Sequence, residues 1–193
     1  MQGTVVLLPA QQRQLVGNPA PEPEQGPLRV SSGFDRRSLA AELAAYAIPI
    51  FLPTDPPHLT AYGSGDPDDP ADYSGPSERE LNAHWVAHVS VEITRHQPQA
   101  PLLLVAGGVA TARLCALGFA QKASRHAVSG YVIIDGLLPE TGRADWPNAP
   151  VDFVLTPEAD ETARQAARVA ELRGWTCHRD TDPATVIRQL VRG

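Results

Sequence analysis

Apolar residues recur along this chain in two rhythms. Short continuous runs stand at Thr4–Leu8 (TVVLL), Ile48–Leu52, Pro101–Ala106 (PLLLVA), Val128–Asp135 (VSGYVIID), Val151–Leu155 and Trp175–Arg179. Runs of this length, rich in Val, Ile and Leu, predict buried strands. Part of "LRVSS" (residues 28–32) is a candidate edge strand. Pro49 inside the second run points to an edge position or a strand start, because proline cannot donate to a central ladder.

Between the runs the spacing becomes helical. Leu39, Leu43 and Tyr46 fall at i, i+4 and i+7, behind Asp35 or Ser38 as the cap of a helix to about Ala47. Ser77-Glu-Arg-Glu80 is a capping box that opens a helix to about His96, with Leu81, Trp85, Val89 and Ile93 on one face. A third helix is expected from about Val109 to Ser124. A fourth is expected behind Thr156-Pro157 and closed by Gly174, and a fifth behind Asp182-Pro183. Strands alternating with helices predict the α/β class: a three-layer sandwich around a mostly parallel, doubly wound sheet. Ligands of such sheets bind at the carboxyl ends of the strands.

The 193 residues suit one domain, 1–193, with long irregular segments at 9–34 and 53–76. Twelve of the 19 prolines lie between Pro9 and Pro76, which puts the long loops in the first half. The formal net charge of −6 argues against a nucleic-acid or anionic-membrane surface, since both require clustered positive charge. No apolar segment approaches the ~20 residues of a membrane span, and "MQGTVVLLPAQQ" lacks a basic n-region, so a cytoplasmic protein is expected. Cys115 and Cys177 lack metal or disulfide spacing and read as small apolar residues.

The stretch "LLLVAGGVATA" (102–112) reads as a strand, a tight turn and a helix. With the element order, it resembles the α/β-hydrolase superfamily, in which a central strand enters a G-x-S-x-G elbow. The likeness runs from Thr4 to Val191. "YVIIDGLLP" resembles the "VFVDAxLP" segment of small actinobacterial-type hydrolases, and "WPNAPVDFVLTPEADETARQAARVAELRGW" resembles their lid exit, penultimate strand and following helix. Here the elbow reads Ala106-Gly107-Gly108-Val109-Ala110, so the nucleophile position is Gly108. The resemblance places the acid at Glu158 or Asp160. It finds no Gly-His loop after the last strand, where Arg179-Asp-Thr-Asp182 runs straight into the final helix and His178 falls within the strand. The lid region, 136–150, is short. Without a nucleophile and a base, acyl transfer by the usual route is not expected.

Other candidates remain. The backbone of Gly107, Val109 and Ala110 can bind a carbonyl or an anion at a helix start, or the glycines simply permit a tight turn. Asp135 ends a buried strand beside the expected crevice. It reads as an acid/base group or as a turn former before Gly136. Tyr62 and Tyr73 are candidate gate residues. His84, His88 and Glu92 have metal-compatible spacing without a further ligand, and Asp66 to Asp72 lacks calcium-loop spacing. No metal and no cofactor are expected. His58 and His126 read as surface residues. The expectation is therefore a hydrolase-like protein without the Ser-His pair. It would bind a small organic metabolite or a protein partner, and a homodimer is conceivable. The alternatives are a non-hydrolytic enzyme using Asp135 for cyclisation, dehydration or isomerisation, and an atypical hydrolase.

Overall fold

The structure, a computed structural model, describes residues 3–10, 34–57, 77–138 and 149–192. The candidate strand at 28–32, His58, Tyr62, Tyr73, the acidic run 66–72 and most of the expected lid region lie outside the described residues.

The elements are β1 (Thr4–Leu7), α1 (Arg36–Ala44), β2 (Ile50–Phe51), α2 (Glu78–His96), β3 (Leu102–Gly107), a 3-10 helix (Gly108–Arg113), α3 (Leu114–Ala123), β4 (Val128–Ile134), β5 (Val151–Leu155), α4 (Glu161–Leu172), β6 (Thr176–Arg179) and α5 (Pro183–Arg192). Strands and helices alternate except between β4 and β5, where the described residues hold no helix. They build a three-layer α/β sandwich around one six-stranded sheet of order β2-β1-β3-β4-β5-β6. Every pairing is parallel. Neighbouring side chains along each strand point to opposite faces, so both faces need cover. Val6, Leu8, Leu104, Ala106, Tyr131, Ile133 and Phe153 pack under α2, α3 and α4. Val5, Leu7, Leu103, Val105, Val132, Ile134 and Val154 pack under α1 and α5. This is why β1, β3 and β4 read as unbroken apolar runs.

Local chemistry fixes the helix starts. Asp35 caps α1 by accepting from the Arg37 amide at 2.9 Å. Ser77 and Glu80 form the reciprocal capping box of α2. Asp182 accepts from the Ala184 and Thr185 amides ahead of α5. Pro49 immediately precedes the two-residue edge strand β2, which keeps its missing N–H out of the central ladder.

Three expectations need correction. The helix after β3 does not begin as an α-helix: residues 108–113 are 3-10, and the α-helix starts only at Leu114. The helix after β5 does not open at Thr156-Pro157; it begins at Glu161, with Asp160 as its cap. The Thr156 hydroxyl and amide both donate to Asp135, and the cap's acceptor is the Asp160 carboxylate, which takes the Ala163 amide. Tyr46 does not join Leu39 and Leu43 in the core; it is 45% exposed and carries the Arg188 guanidinium 4.2 Å above its ring.

Candidate site at the carboxyl ends of the strands

The strand order reverses between β1 and β3, so the switch point lies between their carboxyl ends, at Leu8-Pro9 and Gly107-Gly108. Residue 108 follows the last residue of β3, and its φ is 59°, inside the left-handed region that glycine enters without steric cost. Gly108 therefore stands at a conformationally demanding turn. Gly107 is needed for a different reason. A Cβ there would meet the Phe34 ring at 2.4 Å, so the ring lies directly on the turn. Gly107, Gly108 and Ala110 are buried, and Val109 is half-buried. The amides of Val109 and Ala110 open a 3-10 segment, a weaker and shorter array than the α-helical start that the sequence suggested.

Asp135 follows β4 with φ at 42° and is only 2% exposed. Its two carboxylate oxygens are taken by Thr156, one by the amide at 2.9 Å and the other by the hydroxyl at 2.5 Å. Its own amide donates to Val154 at 3.1 Å. Burial holds the Asp135 carboxyl above the usual range, the two Thr156 hydrogen bonds oppose that, and the nearby Glu158 and Asp160 charges add to it. This carboxylate ties the end of β4 to the end of β5. Glu158 is exposed, and Asp160 accepts from the Ala163 amide at 2.8 Å as a helix cap.

Thr111 ties the end of β4 to the elbow. Its hydroxyl lies 2.7 Å from both the Gly108 and Leu137 carbonyl oxygens, and its one proton serves them in turn. The Leu137 amide also reaches the Gly108 carbonyl, at 3.4 Å. A Cβ at Gly136 would fall 2.4 Å from Thr111 Cγ2, so the loop after β4 presses against this residue. Arg113 is a further element that sequence reasoning missed. It is 5% exposed, donates from Nε to Asn82 at 2.6 Å and from Nη1 to the Val109 carbonyl at 3.3 Å. Burial pulls its pKa down to about 10 against the opposing Glu78 charge, so it remains a cation at neutral pH. It fastens the start of α2 to the elbow.

His178 lies in β6, as its place in the chain suggested, and its Nε2 is 2.8 Å from the Asp152 carboxylate. Its neighbour Cys177 packs against the α2–α3–α4 side, so the imidazole points to the opposite face of the sheet. The signal for this pair was available: Asp152 is the one charged position in the buried run Val151–Leu155, and a buried carboxylate needs a partner. His88 and Glu92 both contact Thr54, His88 at 3.1 Å from its hydroxyl and Glu92 at 3.1 Å, so they dock the segment after β2. Among the described residues no group of three or more His, Cys, Asp or Glu side chains has metal-holding geometry. Nor is any described helix long and apolar enough to cross a membrane.

Comparison with family models, curated proteins and solved structures finds no match for this chain.

Proposed function

We propose that this chain is an α/β-hydrolase-like protein that has kept the elbow as a backbone scaffold and works as a binding protein. Its ligand is a small organic metabolite, taken at the carboxyl ends of the strands. An all-parallel α/β sheet is compatible with that architecture. The observation that carries the reading is Gly108. It stands directly after a central strand, at the switch point of the sheet, in a left-handed turn, and it has no side chain to attack a substrate. The base side of the chemistry fits the same reading, since His178 stands in β6, three strands from the turn after β3. Asp135 supports it too. Its oxygens serve Thr156, and acid/base turnover would have to break that clamp.

The test is a thermal-shift screen of small metabolites, followed by amide chemical-shift mapping of each hit. The expected result is a hit that perturbs Gly107 to Ala110 and Leu137 and is recovered chemically unchanged. Conversion of the hit by the natural chain would overturn the reading.

A further inference from the structure

A cavity of about 300 Å³ opens at the amino ends of β4 and β5, the far end of the sheet from the elbow. Gly118, Val128 and Tyr131 supply an apolar floor, and Lys122, Arg125 and His126 supply three basic side chains. Among the described residues no carboxylate lines it, in a chain whose net charge is −6. Among the described residues neither Lys122 nor Arg125 is engaged in an ion pair.

His126 is oriented rather than loose. The wholly buried Gln121 accepts from the His126 amide at 2.9 Å through its carbonyl, and its side-chain oxygen lies 2.8 Å from His126 Nδ1. The Gln121 amide nitrogen donates to Ser90, so its oxygen faces the ring and Nδ1 is the donor. Nε2 is then the ring's remaining polar atom. Arg125 sits at the left-handed position that closes α3, with φ at 60° and its amide on the Lys122 carbonyl. Ala47 and Gln97 adopt the same conformation near other helix ends, so the conformation marks no function by itself. It does supply a useful variant: glycine at 125 relieves the backbone while deleting the charge.

We propose that this cavity binds a small aromatic carboxylate, its anionic head among Lys122, Arg125 and His126 and its ring over Val128. The volume is at the lower end for ligand pockets and suits one ring with an acidic substituent. A guanidinium and an ammonium give charge-assisted hydrogen bonds to a carboxylate. Burial pushes the Tyr131 hydroxyl up to about 12, so the floor stays uncharged.

The experiment is an amide-detected NMR titration of the full chain with benzoate, with benzyl alcohol as the uncharged counterpart and inorganic phosphate as the anion without a ring. Benzoate is expected to shift residues 118–131 saturably, and benzyl alcohol and phosphate to bind at least about tenfold more weakly. R125G is expected to match or exceed the wild-type Tm while losing about tenfold or more in benzoate affinity. K122Q, at an exposed site, should lose affinity with Tm unchanged and keeps the test alive if R125G misfolds. No benzoate response at 118–131, equal binding of benzyl alcohol or phosphate, or full affinity in both variants would overturn the proposal.

Discussion

Replacing Asp135 separates a clamp from a catalyst. In the folded protein this carboxylate is 2% exposed and receives two hydrogen bonds from Thr156. D135A leaves the Thr156 amide and hydroxyl without an acceptor. At about 1–3 kcal/mol for each buried group left unmade, it should lose about 2–6 kcal/mol. D135N keeps the shape. Its carbonyl accepts from the Thr156 amide, its NH2 donates to the hydroxyl oxygen, and no charge is buried. It should lie within about 1 kcal/mol of the natural chain at pH 7. The pH dependence follows from the raised pKa of Asp135. The folded state holds this proton more tightly than the unfolded chain, whose value is near 3.8, so the group favours folding most at low pH. That contribution is lost as pH rises from about 4 through the folded pKa. Urea unfolding at pH 4, 5.5 and 7 measures it: the natural chain should lose stability relative to D135N as pH rises. A D135N loss as large as that of D135A, or a stability difference that moves the other way with pH, would refute the reasoning.

Three further outcomes follow from the same contacts. G107A drives a methyl into the Phe34 ring and should cost about 1–3 kcal/mol in urea unfolding, with G107A/F34A partly recovering the loss. T111V removes the hydroxyl shared by the Gly108 and Leu137 carbonyls and should cost about 1–2 kcal/mol, together with faster amide exchange at Leu137. G174A, at φ 76° with open space around it, should cost about 1 kcal/mol from backbone strain alone and leave ligand binding untouched.

The fold was legible wherever burial wrote a continuous signal. Six apolar runs became six strands, and Pro49, read as marking an edge or a strand start, immediately precedes the edge strand β2. Helix starts were legible where a cap acts locally, as at Asp35, Ser77 and Asp182. They failed at Thr156, where the helix starts five residues later behind Asp160 and Thr156 pairs instead with Asp135, 21 positions away. The site followed the same division. The tight turn at Gly108 was legible because a glycine pair after an apolar run is visible in one window. Phe34 and Arg113 were not, because each reaches the elbow from a segment far away or as an unmarked residue in a helix. His126 read as a lone surface residue; its orientation by Gln121 and its company with Lys122 and Arg125 exist only in the folded chain.

Fluorophosphonate labelling of the natural chain, alongside G108S, is the most direct measurement. With no attacking oxygen at 108 in the natural chain, and with His178 in β6, three strands from β3, neither protein should take up the probe or cleave an activated ester above background. Stoichiometric labelling of the natural chain would show that a nucleophile is working in this fold, and would contradict the account.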